Sequence, residues 1–255
     1  MTGVGRREGI GFAAASWLVA GGTAVFTQAW EAHDAGQPWG RGSDPLLAHG
    51  DGERAGEGGQ TPRVAGHLEA DLADPEAPAA VMAAARLALG HVDVLVANHA
   101  ASVAGSLEEI TAASIDEALV VNVRATLLLV QAFAAGFEGS QGGRVILLTS
   151  GQGRGPMSAE LPYVASKAAL SGVVLSLADA LAPRGITVNA VNPGPTDTGW
   201  APEDVKARAL AAMPRGRWGT PDDAARLIAW LASEDSEWVT GQVIDSDGGF
   251  RYGGA

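Results

Sequence analysis

Short apolar runs and longer stretches of helical period alternate along most of the chain. Ala24 to Thr27, Val92 to Ala97, Val145 to Leu148, Thr187 to Val191 and Gln242 to Asp245 are brief, contain β-branched residues and end in polar, Gly or Pro positions, which predicts buried strands. Between them the spacing predicts helices over Gly11–Ala20, Pro78–Gly90, Ala112–Phe137, Tyr163–Ala182 and Pro221–Ser233. Such alternation predicts parallel βαβ units, and so a single doubly wound parallel sheet of the α/β class over residues 1–255. A sheet of that kind binds its ligand at the carboxyl ends of its strands. One region breaks the rhythm: Glu31 to Arg63 is rich in Gly and Pro, with only Pro45–Ala48 resembling a helical turn, and is expected to be a flexible excursion.

Composition narrows the function. The chain has 255 residues, 47 % of them hydrophobic, enough to fill a sizeable core. With 17 basic against 29 acidic residues the net charge is −12, which repels a phosphate backbone or an anionic membrane, so neither nucleic acid nor a membrane is an expected partner. There is no cysteine, which excludes disulfides, a thiol nucleophile and thiolate metal sites, and no metal site is expected. No run of 18 apolar residues is apparent, and Met1 to Gly11 lacks a signal-peptide core, so the expected location is cytoplasmic.

The candidate chemistry centres on two scarce residue types. Tyr occurs only at 163 and 252 and Lys only at 167 and 206, yet Tyr163 and Lys167 lie four apart, on one face of a predicted helix. A cation roughly 5 Å from a phenol is worth about 3 kcal/mol at an effective dielectric near 20, which predicts a phenol pKa lowered towards neutrality. A solvent-facing helix pair has the same spacing. Ser150 follows the strand at Val145–Leu148 and precedes a Gly/Pro-rich loop leading to Tyr163, so the three polar groups are expected to meet at the sheet edge. A Ser-Tyr-Lys set there suits carbonyl chemistry, the Ser donating to the oxygen and the Tyr passing it a proton. At the amino end Gly3, Gly5, Gly9 and Gly11 run into an apolar helix, where backbone N–H groups and the helix dipole favour a pyrophosphate.

Taken together, Thr2-Gly3 with Gly9-Ile10-Gly11, Asp71-Leu72, Ala97-Asn98-His99-Ala100, Asn122-Val123, Ser150, Tyr163 to Lys167, Asn192-Pro193-Gly194 and the closing Gly241-Gln242 with Asp247-Gly248-Gly249 resemble a short-chain dehydrogenase/reductase, of the group labelled 3-oxoacyl-acyl-carrier-protein reductase-like. The resemblance implies a Rossmann domain and a catalytic tetrad of Asn122, Ser150, Tyr163 and Lys167. Tyr163 would be the proton donor or acceptor, Lys167 would lower its pKa and bond the nicotinamide ribose, Ser150 would hold the substrate oxygen, and Asn122 would support a water relay to Lys167. It also implies that Gly3, Gly9, Ile10, Gly11, Asp71, Leu72, Asn98, Ala100, Pro193, Gly194, Thr196 and Thr198 line the cofactor site. The implied activity is NAD(P)-dependent interconversion of a carbonyl and an alcohol, reducing a ketone or 3-oxoacyl-type substrate. A halohydrin dehalogenase-like lyase or a non-catalytic dinucleotide sensor on the same fold are the alternatives, and Lys167 speaks against the first.

Several positions depart from the family pattern or refine it. Five residues separate Gly3 from Gly9 where three are usual, and His99 stands where Ala is usual. After the strand at Ala24–Thr27 come Gln28, Ala29 and Trp30, so no acidic residue stands where an NAD ribose expects one, although Glu31 is near. Arg6 and Arg7 are placed to meet a 2′-phosphate, and NADP(H) is expected over NAD(H). Residues 197–217 occupy the family's substrate-lid position, with Trp200, Leu210 and Met213 as an apolar wall; Arg154, Arg208, Arg215 and Arg217 are candidates to attract an anionic substrate. The helix Tyr163–Ala182 is apolar around much of its circumference, which agrees with the homotetramer that the family implies. In the family a buried strand precedes the Thr-Gly. Here only Met1 does, so the natural chain is expected to begin upstream or other residues to fill the slot, and a chain starting at Met1 to be less stable.

Overall fold

The computed structural model describes residues 1–36 and 64–250. In chain order the elements are α1 (Ile10–Ala20), β1 (Val25–Ala29), α2 (Glu31–Ala35), β2 (Val64–Glu69), α3 (Ala77–Leu89), β3 (Val94–Ala97), α4 (Ala112–Ala118), a π-helical turn (Leu119–Arg124), α5 (Ala125–Ala135), β4 (Gly143–Leu148), α6 (Leu161–Leu181), β5 (Ile186–Asn192), α7 (Glu203–Ala211), α8 (Pro221–Leu231) and β6 (Val243–Asp245). All strand pairs are parallel.

The strand β4 shows why the fold is doubly wound. All six of its residues are buried. Because successive side chains point to opposite faces, Val145 and Leu147 join a core with Leu129 and Phe133 of α5 and Val188 of β5, while Ile146 and Leu148 join one with Ala14 of α1 and Ile228 and Leu231 of α8. Helices therefore cover both faces. The caps agree with the sequence: α8 starts at Thr220, whose N–H donates to the Asp223 carboxylate at 2.8 Å, with Pro221 in the first turn.

The expected parallel sheet is present, and a short segment fills the slot of its first strand. The strands form two hydrogen-bonded groups, β2–β1 and β3–β4–β5–β6. Met1 to Val4 lies between them: Thr2 N–H donates to Val96 O at 3.0 Å, Val4 N–H to Gln28 O at 2.9 Å, and Gln28 N–H to Met1 O at 2.9 Å. These residues hold one end of the central slot, and the truncated strand is thus a short bridge. The Met1 amino group donates to Phe26 O at 2.8 Å, and burial pushes its pKa down to about 5.

Three other expectations change. The helix expected over Ala112–Phe137 is interrupted by the π-helical turn that carries Asn122, where Ala125 N–H reaches back to Val120 O. The strand β2 was not legible because it is only half-buried, and Gly66 within it lies under the Phe26 ring. Within the expected flexible excursion, Glu31–Ala35 is helical; residues 37–63 lie outside the described residues. The helical spans Ala112–Ala135 and Leu161–Arg184 are long and apolar enough on average to cross a membrane, although neither contains 18 consecutive apolar residues. Their inner sides pack on α3 and β5, and 44 % and 33 % of an apolar 18-residue window in each is buried within this chain.

Candidate active site

A cavity of about 690 Å³ opens at the carboxyl ends of the strands. Its walls include Gly3, Arg6, Gly9, Ile10 and Gly11 from the amino-terminal loop, Asp71 and Leu72 after β2, and Asn98 and Ala100 after β3. Ser150 and Tyr163, and Pro193, Gly194, Thr196 and Thr198 after β5, line it as well. Lys167 and Asn122 lie behind the wall, and Arg7 is exposed outside it.

Lys167 is buried, with Nζ 5.7 Å from the centre of the Tyr163 ring and 2.7 Å from Leu148 O, to which it donates. Burial pushes its pKa down to about 8. The Tyr163 phenol is not lowered as expected. Desolvation pushes it up to about 12, against a hydrogen bond with Ser150 that lowers it, while the nearby Glu160 charge raises it further. Lys167 spends a hydrogen bond on the strand carbonyl, and burial outweighs its attraction for a phenolate.

Asn122 is fully buried, and its amide is engaged on three sides: Oδ1 accepts from Ala101 N at 2.7 Å, and Nδ2 donates to Ala101 O at 3.0 Å and to Ser166 Oγ at 2.9 Å. It therefore fastens the loop after β3 to α6. Gln152, which sequence reasoning passed over, bridges the site. Its Oε1 accepts from Ser150 N–H at 3.1 Å, and its Nε2 donates to Lys167 O at 3.2 Å and Ser171 Oγ at 2.8 Å.

The cradle at the other end is built by close backbone approach. Gly3 has φ +70°, and a Cβ there would fall 2.8 Å from His99 N; one on Gly11 would fall 2.3 Å from Gly3 O. Asn98 Nδ2 donates to Gly3 O at 2.9 Å, and Gln28 Oε1 accepts from Gly3 N at 3.2 Å, so both side chains secure the loop. The first turn of α1 has no side-chain cap. His99 is buried and satisfied: Nε2 faces Val121 O at 3.1 Å and Nδ1 faces Thr2 Oγ1 at 2.8 Å, while burial holds its pKa at about 3. A carbonyl only accepts, so Nε2 carries the proton and Nδ1 accepts from Thr2.

The family model described as enoyl-(acyl carrier protein) reductase matches residues 49–251. The chain belongs to the short-chain dehydrogenase/reductase family. Among relatives of this chain, an uncharacterized oxidoreductase YjdA of Bacillus subtilis (strain 168) is 45 % identical over 188 residues, 73 % of this chain and 75 % of that one. The 3-oxoacyl-[acyl-carrier-protein] reductase MabA of Mycobacterium tuberculosis (strain ATCC 25618 / H37Rv) is 31 % identical over 189 residues, 73 % of this chain and 76 % of its own. A short chain dehydrogenase from Burkholderia cenocepacia J2315 in complex with NADP superposes with a TM-score of 0.81 at 36 % identity, covering 97 % of this chain and 95 % of that one. The chain is an NAD(P)-dependent oxidoreductase of this family.

The residues present fit such a dinucleotide. The uncapped start of α1 offers N–H groups to a pyrophosphate beside Gly3 and Gly9, and the cavity runs from there to Tyr163. The far rim carries His33 and Asp34, which the sequence did not single out. Trp30 stacks on His33, ring centres 6.0 Å apart, and Asp34 also lines the cavity with its carboxylate over Gly5; burial lowers the pKa of Arg6, and the Asp34 charge acts against that lowering. Arg6 also donates to Thr198 O, across the cleft. Glu31 is not on the wall; its N–H donates to the Glu69 carboxylate at 2.8 Å.

Of the three apolar residues expected to form a wall, one lines the cavity. Trp200 lines the cavity and packs on Trp218, with ring centres 6.4 Å apart. Leu210, on the mostly polar α7 that buries none of its residues, is exposed, and Met213 just beyond α7 is buried; neither is on the wall. Three of the four candidate arginines are paired: Arg154 with Asp245, Arg208 with Asp204 at 2.8 Å and Arg217 with Asp223 at 2.7 Å.

Proposed function

We propose that this reductase converts the carbonyl of a ketone or 3-oxoacyl-type substrate to an alcohol with NADPH. The observation that carries the reading is Ser150 and Tyr163 on one cavity wall with Lys167 buried beneath the Tyr163 ring. Ser150 donates a hydrogen bond to the substrate oxygen, and Tyr163 delivers the proton to it. A phenol whose pKa is raised by burial keeps its proton at neutral pH, which supports the reductive direction. Lys167 steadies the phenol and, from its place behind the wall, bonds the nicotinamide ribose. Asn122 positions α6 and the loop after β3. The nicotinamide, when bound, supplies the hydride.

Arg6 on the cavity wall and the Gln28-Ala29-Trp30 run at the end of β1 support NADP(H) over NAD(H), as does the NADP carried by the Burkholderia relative. A homotetramer is the proposed assembly, supported by the exposed apolar side of α6, where Leu175 is 70 % exposed. An apparent mass near that of one 25.8 kDa chain in solution would contradict it.

The test is NADPH oxidation against a panel of ketones. Tyr163→Phe is expected to keep cofactor binding and lose turnover by a factor on the order of 10² or more. Equal turnover in the variant overturns the mechanism.

A further inference from the structure

Besides the residues already placed on it, the cavity wall includes the apolar Val121, Met157 and Trp200 and the carboxylates Glu117 and Glu160. Glu160 is the N-cap residue of α6, three residues before Tyr163 in the chain. Its main chain is locked: Val164 N–H donates to Glu160 O at 2.8 Å, and the neighbouring Leu161 N–H to Gly105 O at 2.9 Å. Among the described residues no cation and no hydrogen-bond donor meets its partly buried carboxylate. Glu160 and Tyr163 line the same cavity, and the Glu160 charge adds to the burial that raises the pKa of the Tyr163 phenol. A carboxylate removed from water without a partner is costly, and a bound cation relieves that cost.

We propose that Glu160 is the specificity residue of this site, and that the substrate is a ketone or secondary alcohol bearing an ammonium group near the reacting carbon. This rests on the carbonyl-alcohol reading above and narrows it, against an acyl thioester on an acidic carrier. The carboxylates of Glu160 and Glu117 on the cavity wall, a net charge of −12 and pairing of Arg154, Arg208 and Arg217 all oppose an anionic substrate.

The experiment measures equilibrium binding to the protein loaded with NADP⁺, by calorimetry, for three isosteric ligands: a protonated 1-amino-2-alkanol, the neutral 2-alkanol and a 3-hydroxy carboxylate. The wild type is expected to bind the ammonium ligand about 10- to 100-fold more tightly than the neutral one, as for a charge-assisted hydrogen bond, and the carboxylate most weakly. Glu160→Gln is expected to erase the preference, and Glu160→Lys to turn it towards the carboxylate. Equal binding of the ammonium and neutral ligands by the wild type overturns the proposal even if neither variant folds, and so does a preference that survives in Glu160→Gln. Selective binding of the ammonium ligand without hydride transfer in either direction leaves the role of Glu160 standing and overturns the oxidoreductive reading instead.

Discussion

The Lys167 ammonium donates to the Leu148 carbonyl at 2.7 Å and so ties the catalytic helix α6 to the last residue of β4. That contact leaves a charge inside the protein, and its pKa is pushed down to about 8 from an ordinary value of 10.5. Between those values the unfolded chain holds a proton that the folded chain has lost. Stability from this group is therefore fully present above 10.5 and is lost as the pH falls through 8. The difference between wild type and Lys167→Met in urea melts is expected to grow in favour of the wild type by about 2 kcal/mol between pH 7.5 and 9.5. Parallel profiles for the two proteins would count against a buried, titrating Lys167.

Gln152 offers a test of positioning. Its one amide holds Ser150 N–H and Lys167 O, which come from different elements. Gln152→Ala is expected to lower kcat about 10- to 100-fold by loosening the Ser150 loop. The Kd for NADPH should stay within about twofold, since Gln152 is not on the cavity wall. A fall in cofactor affinity with kcat unchanged would show that the bridge supports the cleft and not the chemistry.

Cofactor choice is expected to turn on Arg6 and Asp34. The Asp34 carboxylate beside Arg6 is the anion that a 2′-phosphate must displace. Fluorescence titration should show Arg6→Ala losing about tenfold in NADPH affinity with little change for NADH, and Asp34→Asn gaining for NADPH. Tighter NADH than NADPH binding by the wild type would reverse the assignment.

His99 gives an acid limb. Its pKa is held at about 3 against 6.5 in the unfolded chain, so the stability it contributes is full above 6.5 and is lost as the pH falls towards 3. In an imidazole NMR titration one histidine should stay neutral down to pH 4, and Thr2→Ala, which removes the donor to Nδ1, should disturb that resonance most. A normal titration of all five histidines near 6.5 would show that His99 is not enclosed.

Much of this was legible along the chain because it depends on local pattern. The apolar runs of β3, β4 and β5, fully or mostly enclosed, announced themselves as strands, and Tyr163, Lys167 and Ser150 stood out by spacing and by place after a strand. The half-buried β2 did not, for a strand open on one side needs no continuous apolar run. The π-helical turn at Asn122 was equally hidden, since its sequence reads as plain helix.

Chain order and residue type by themselves determined the α/β class and the edge at which the cavity opens, and brought Ser150, Tyr163 and Lys167 forward as candidates, because helical and strand periods act over a few residues. Tertiary structure decided what those groups meet: that Met1 to Val4 bridges β1 and β3, that Asp34 stands beside Arg6, that Gln152 joins Ser150 to Lys167, and that Glu160 faces the cavity next to Tyr163. It also reversed the direction of the Tyr163 shift. A pKa follows the balance of desolvation and nearby charge, and burial is set by segments that lie far apart in the chain.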